Sequence, residues 1–151
     1  MVLLRRALVA LVLCVFASAA MAAGEYGTPA EAKAMLEKAV AAIKADKTKA
    51  LAEMTAGTGG FKDRDLYPFC GGPDGNFTAH PKLVGQSMRN LMDKSTPPKP
   101  IGAEFYKDAQ EGKISEVTYM WPRPGDDPKP VEKVVYITKV GDEVCGVGYY
   151  K

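Results

Sequence analysis

The residue types that acid–base or nucleophilic catalysis requires are sparse in this sequence. His80 is the sole histidine, so no second one is present to build a metal cluster, and there is no CxxC or CxxCH motif. Gly57–Gly60 lacks the Gly-Lys-Ser/Thr of a phosphate loop, and no serine lies in a G-x-S-x-G turn. Asp63 and Asp65 have the spacing of two calcium ligands, but the rest of that loop is missing. We therefore predict no enzyme, no metal site and no cofactor.

Aromatic residues in the predicted strands are more informative. Two pairs, Tyr67 with Phe69 and Tyr119 with Trp121, each share one face of a strand, because side chains alternate along a strand. Further tyrosines of this kind lie in the last two predicted strands, Tyr136 and Tyr149. Each ring could simply pack in the core, but rings with polar tips on adjacent strands also suit a half-polar pocket.

Basic residues near these rings could pair with a buried acid, because an unpaired carboxylate in an apolar pocket is costly. The candidates are Lys82, Arg123 and Lys133, and each could instead be a solvated surface charge. His80 has two readings as well. It could contact a ligand, or it could end a strand before Pro81 and hydrogen-bond the backbone.

A strong helix signal opens the part of the chain that carries these residues. Thr28 and Glu31 form a capping box, with Pro29 at the first helical position. Alanine-rich sequence with helical periodicity continues to about Met54, before Gly57. The predicted helix is about 39 Å long, which exceeds the width of a small domain, so one end is expected to project.

Five strands and a helical insertion follow. The strands are predicted at Leu66–Cys70, Asn76–His80, Ile114–Trp121, Val131–Val140 and Glu143–Tyr150, separated by glycine and proline turns. Between the second and third strands, two short helices are predicted. The first carries Val84, Met88, Leu91 and Met92, and the second runs from about Ala103 to Glu111. Strands joined mainly by hairpins favour an α+β fold, with an antiparallel sheet covered by the long helix on one face and by the insertion on the other. A cavity between the sheet and the insertion is then the natural place for a ligand.

The first 22 residues have the pattern of a secretory signal peptide. Arg5 and Arg6 precede the apolar run Ala7–Ala17, and Ala20-Met21-Ala22 fits a cleavage box. An uncleaved membrane anchor is the alternative, but the run is short for a bilayer. We expect one mature domain, residues 23–151, in the periplasm or outside the cell.

Cleavage changes the charge and the cysteine count. The formal charge of +2 loses two arginines and becomes 2 − 2 = 0, so no basic field remains to favour nucleic acid or an anionic membrane. No second apolar run could span a bilayer. Cys70 and Cys145 remain of the three cysteines. A disulfide is natural in an oxidising compartment, and buried free thiols are the alternative.

Several short motifs, in this order and spacing, resemble the single Cache domain family. They are the run Asp63–Cys70, then Asp74-Gly75, Ala79-His80-Pro81, Leu83-Val84-Gly85, Tyr119–Pro124, Lys133-x-x-Tyr136-Ile137-Thr138-Lys139 and Gly146–Tyr150. The resemblance covers essentially the whole mature chain. It implies a PAS-like (profilin-like) sheet of five strands, in an extracytoplasmic sensor that binds small molecules, often short organic acids. Without a second predicted membrane helix or a signalling domain, the chain resembles the free-standing secreted members.

The resemblance also implies particular contacts. In the PAS-like order the first strand lies antiparallel to the fifth, which brings Cys70 to Cys145. The implied ligand is a small organic anion, and a membrane receptor or another periplasmic protein is the implied downstream partner. We expect a pocket lined by some of Phe69, Tyr119, Trp121, Tyr136 and Tyr149, with Lys133 as the cation and His80 at the rim. Lys133 and Tyr136 differ by three positions, so in a regular strand they point to opposite faces.

An interaction module without a small ligand is the alternative function. It would use the long helix or the proline-rich loop Pro122–Pro130 as its contact surface.

The export signal gives the first testable prediction. Mass spectrometry of the protein from its native host should find an N-terminus at Ala23 or Gly24, because the small-residue box ends there. Recovery of the chain with Met1 intact in the membrane fraction would contradict the prediction.

Overall fold

The computed structural model describes residues 24–151, which form three helices and five strands. The elements are α1 (Pro29–Ala45), α2 (Lys47–Ala56), β1 (Pro68–Gly71), β2 (Phe77–Ala79), α3 (Ile101–Asp108), β3 (Ser115–Pro122), β4 (Pro130–Val140) and β5 (Glu143–Tyr150). The predicted export signal, with Arg5 and Arg6, lies outside the described residues. Within them, no helix combines the length and hydropathy needed to cross a bilayer.

The N-terminal helix starts as predicted but is divided in two. The Thr28 side chain accepts from the Glu31 N–H, and Glu31 caps in return. Asp46 leaves the helical region at φ −156°, and its carboxylate accepts from the Lys49 N–H at 3.0 Å. The prediction of one continuous helix is therefore wrong at Asp46, whose side chain caps a second helix better than it continues the first. Both helices bury residues in one cluster, so neither is the projecting rod that motivated the interaction-module alternative.

The sheet has the predicted antiparallel, five-stranded PAS-like form, with strand order β2-β1-β5-β4-β3. β1 lies beside β5, and Cys70 is the register partner of Cys145. The first hairpin is shorter than predicted, because its pairing shifts between Cys70 and Gly71. Tyr67 and His80, which were predicted at strand ends, lie just outside β1 and β2.

Each face of the sheet carries its own core. On one face α1 and α2 pack with Ala79, Val140 and Val147. On the other face the insertion packs, through residues such as Met88 and Phe105, against an aromatic and branched set. The sheet residues of this second cluster are Phe69, Phe77, Val117, Tyr119, Val135, Ile137 and Val144. The predicted two-sided coverage of the sheet is therefore confirmed.

The insertion contains one helix rather than two. The predicted first helix is a run of turns, in which Gly85 adopts φ +84° and Phe77 bonds to both Gly85 and Gln86 through the backbone. A positive φ is open to glycine and ends any helix there. Met88 is buried, but Val84 is 50% exposed and Met92 44% exposed, so the helical spacing of these residues was misleading.

Asp93 ties this turn-rich segment to the sheet. Its buried carboxylate accepts hydrogen bonds from the backbone N–H groups of Ser95 and Lys99 and, at 3.2 Å, from Met120 in β3. The Lys94 N–H also donates to the Met120 carbonyl. Tyr106 of α3 adds a second tie, by donating to the Gly72 carbonyl at 2.8 Å.

The disulfide between Cys70 and Cys145 is present in the structure, and it crosslinks residues 75 positions apart. Closing a loop of this length restricts the unfolded chain. We expect the double variant C70S/C145S to lose about 2–4 kcal/mol of unfolding free energy, measured by urea denaturation. Thiol titration of the unreduced, denatured mature protein should find no free thiol, and two free thiols would refute the bridge.

Asp93 predicts a defined acid dependence of stability. Burial opposes ionisation of this carboxyl, but the hydrogen bonds from Ser95, Lys99 and Met120 outweigh it and lower its pKa from 3.8 to about 2. The ionised group is thus favoured in the folded state. Its stabilisation, about 2 kcal/mol, should be complete above about pH 5, decline as the pH falls through the interval between the two pKa values, and be lost at about pH 1.

The matched control for this dependence is Asp93→Asn, which keeps an oxygen acceptor but does not titrate. Urea denaturation between pH 2 and pH 7 should show wild type more stable than the variant at neutral pH. That difference should shrink at acid pH. A constant difference across the range would rule out ionised Asp93 as the source of the stabilisation.

Candidate functional site

Two neighbouring spaces share part of their lining. One lies between the sheet and the insertion, and the other lies between the C-terminal end of α2, the loop that follows it and the loop after β3. The inner one is a cavity of about 10 Å³, which is room for about one water molecule. The outer one is an open groove of about 650 Å³. Four residues line both spaces, and we call them the wall residues: Tyr67, His80, Leu83 and Trp121.

The inner cavity is almost entirely aromatic. Its other lining residues are Phe69, Phe77, Leu91, Phe105 and Tyr119. Phe105 of α3 packs against Phe69 and Tyr119 with ring centroids 5.4 and 5.7 Å apart. Rings from the insertion therefore pack on rings from the sheet and leave only a small space between them.

Lys133 lies on the same face of the sheet and is only 2% exposed. Its register partners on the two neighbouring strands are Tyr119 and Tyr150. The lysine stem crosses β5 at Gly148, where a Cβ atom would collide with the Lys133 side chain. A strand glycine here provides the close approach that a buried lysine needs.

The Lys133 ammonium has no carboxylate partner within residues 24–151. It donates a hydrogen bond to the Tyr67 hydroxyl at 3.2 Å. Its Nζ also lies 4.6 Å from the Tyr67 ring centroid and 4.9 Å from that of Tyr150. Cation–π contacts offset part of the desolvation of a buried cation, but they bring no negative charge.

His80 has the predicted backbone hydrogen bond, and its ligand contact stays a prediction. Its Nδ1 accepts from the Lys82 backbone N–H at 2.9 Å, which is the structural role, and the ring also lines both spaces. Burial, together with the positive charges of Lys133 and Lys82, lowers the His80 pKa from 6.5 to about 4. The imidazole is therefore neutral at pH 7, with its proton on Nε2.

An ion pair lies at the rim of the groove. Arg123, in the loop after β3, pairs with buried Asp65 at 3.0 Å and stacks on Tyr26 and Tyr150. Asp65 also accepts from the Gly27 N–H at 2.7 Å. Arg123 therefore has a carboxylate partner in the protein, whereas Lys133 has none within residues 24–151.

The structure separates the predicted site residues into two groups. Phe69, His80, Tyr119 and Trp121 line the inner cavity, and Lys133 lies beside them behind Tyr67. Tyr136 and Tyr149 pack against each other, with centroids 5.7 Å apart, on the opposite face beneath the helices. Strand parity is the reason, since β4 is regular and residues three apart face opposite ways.

Tyr67 and Gly148 were missed as site residues. Tyr67 was noted only as a ring sharing a face with Phe69, yet it is the hydrogen-bond partner of Lys133. The sequence did carry a signal for Gly148. Two alternate glycines, Gly146 and Gly148, within a strand otherwise rich in branched and aromatic residues indicate close approach by other side chains.

Comparison with known proteins identifies the family and the fold of this chain. A family model described as a Cache domain matches residues 28–150. A periplasmic sensor domain of a chemotaxis protein shares the fold at 23% identity and a TM-score of 0.57, covering 78% of this chain and 86% of that one. A Cache chemosensory domain, solved to explain carboxylic acid recognition, shares it at 22% identity and 0.56, covering 78% and 84%. No curated protein gives a significant match.

Proposed function

Because this chain belongs to the Cache domain family, we propose that it is an extracytoplasmic module that binds and senses a short organic acid. One observation carries this proposal. The Lys133 ammonium is buried beside an aromatic cavity without a carboxylate from the described protein. Carboxylic acid recognition by a Cache domain of similar fold supports the same ligand class.

The energetics of Lys133 favour an anionic ligand. Desolvating an ammonium costs several kcal/mol, and a nearby anion in a low-dielectric site recovers much of that cost. An aliphatic residue would fill the same space without the cost. A small acid bound near Lys133 would supply the missing charge, and the aromatic lining would enclose its apolar part.

The size of the cavity favours a short acid. About 10 Å³ is less than any carboxylic acid occupies, so binding requires the lining to move outward. The wall residues Tyr67, His80, Leu83 and Trp121 line both the cavity and the open groove. Displacement of these residues gives a short route for the ligand, and every additional carbon requires further displacement of packed rings.

The cellular setting follows from the same proposal. We infer that residues 1–22 are an export signal and that residues 23–151 act as one Cache domain in the periplasm or outside the cell. Cache domains are sensory and binding modules. We therefore assign it binding rather than catalysis. A membrane receptor or another periplasmic protein would take up its signal.

Binding can be tested with a panel of formate, acetate, propionate, lactate and succinate, using thermal shift and calorimetry on the mature protein. At least one short monocarboxylate should raise Tm in a saturable way, since a ligand that binds only the folded state stabilises it. Trp121 fluorescence should respond, because Trp121 forms part of the cavity wall.

The variant Lys133→Met tests whether ligand binding requires the buried ammonium. It should weaken binding at least about tenfold, because the buried cation is lost. The unliganded variant should be no less stable than wild type, because a buried unpaired charge is replaced by an apolar side chain. Arg123→Met, which removes a cation already paired with Asp65, should keep most of the affinity. No binding by wild type, or full binding by Lys133→Met, would overturn the proposal.

A further inference from the structure

We propose that Tyr67 is the direct hydrogen-bond donor to the carboxylate of the acid, and that Lys133 acts on the ligand through Tyr67 rather than by contact. This inference rests on the proposed function and assigns the group that reads the ligand. It differs from the simpler arrangement in which the lysine ammonium binds the carboxylate itself.

The positions of the two residues distinguish these arrangements. Tyr67 lines both the inner cavity and the outer groove, whereas Lys133 lines neither of them. The ammonium lies over the Tyr67 ring and donates to its hydroxyl oxygen. Tyr67 therefore stands between the buried charge and the space that a ligand would occupy.

The hydrogen-bond count of the phenol supports the donor role. A tyrosine hydroxyl has one proton to donate and can also accept. Lys133 uses the acceptor side of the oxygen, and in the part of the chain that the structure describes the Tyr67 proton has no acceptor. A ligand carboxylate would complete the chain from ammonium to hydroxyl to carboxylate.

Such a series of hydrogen bonds strengthens the bond from the Tyr67 hydroxyl to the ligand carboxylate. An ammonium donating to the phenol oxygen polarises its O–H bond, and hydrogen bonds in series reinforce one another in a low-dielectric interior. The bond from Tyr67 to an ionised acid is also charge-assisted. The positive charge of Lys133 can thus favour an anion without leaving its position across Gly148.

His80 provides a second donor next to the first. Its ring centroid lies 5.4 Å from that of Tyr67 in an edge-to-face contact, and both residues border the same two spaces. Nδ1 accepts from the Lys82 N–H, so the ring proton is on Nε2, which donates to no acceptor in the described residues. One phenol and one imidazole donor match the two oxygens of a single carboxylate.

A double-mutant cycle separates relay from direct contact. The probes are acetate and propionate, titrated calorimetrically into wild type, Tyr67→Phe, Lys133→Met and the double variant. Tyr67→Phe keeps the ring and should weaken binding about tenfold, the usual effect of losing a hydrogen bond to a charged group. If Lys133 acts through Tyr67, the double variant should bind no more than about threefold more weakly than the weaker single variant.

Tyr149→Phe is the matched control, because it removes a hydroxyl from the opposite face of the sheet and should leave affinity unchanged. Circular dichroism and Tm of each variant check that the fold persists. Wild-type affinity in Tyr67→Phe would overturn the role of Tyr67. Losses that multiply to about a hundredfold in the double variant would show that Lys133 binds the carboxylate independently. Failure of wild type to bind any acid of the five-member panel would contradict the proposed function itself, whereas binding of another panel acid with no binding of acetate or propionate would move the cycle to that acid.

Discussion

Both faces of the sheet are apolar, so other parts of the chain must cover each of them. Most features of this protein follow from that constraint. The helices α1 and α2 cover one face with alanine, leucine and methionine side chains that pack closely. The other face is left to a segment that is mostly turns, with only α3 as regular structure. The two covers differ in how they are held, and the small aromatic space lies on the insertion side.

Regular helices are held by periodic burial along their length, whereas the insertion depends on a few specific ties. Asp93 fixes its turns to β3, Tyr106 fixes α3 to Gly72, and aromatic rings fill the space between. A cover tied at separate points can shift as a unit when a ligand enters, because its own turns need not unfold. The small aromatic space and the larger groove both border this cover.

Strand identity, sheet order and the Cys70–Cys145 pairing were accessible from the sequence, because alternation, turn residues and the family resemblance agree on them. The break in the N-terminal helix at Asp46 could not be predicted. The alanine-rich neighbours of Asp46 favour a continuous helix, whereas its own side chain favours a helix cap. The turns at Pro81–Met92 imitate helical spacing by chance, and Gly85 was the residue that argued against it. In the site, strand parity separated Tyr136 from Lys133 correctly. The link between Tyr67 and Lys133 depends on the path of a long side chain across Gly148, which no local pattern specifies.

The pairing of the other basic residues makes Lys133 informative. Arg123 pairs with buried Asp65, Arg64 pairs with Glu31, and Lys47 pairs with buried Glu143. In each of these pairs the cation offsets the charge of a buried or partly buried carboxylate, so the pair accounts for both charges. Lys133 is the most deeply buried lysine of the described chain, and its neighbours there are two phenol rings and one hydroxyl. Folding alone gives no reason to place a charge at this position, since an aliphatic side chain over Gly148 would avoid the desolvation. Under the proposed function, a small anion bound at the aromatic cavity would supply the negative charge that the described residues do not place beside Lys133.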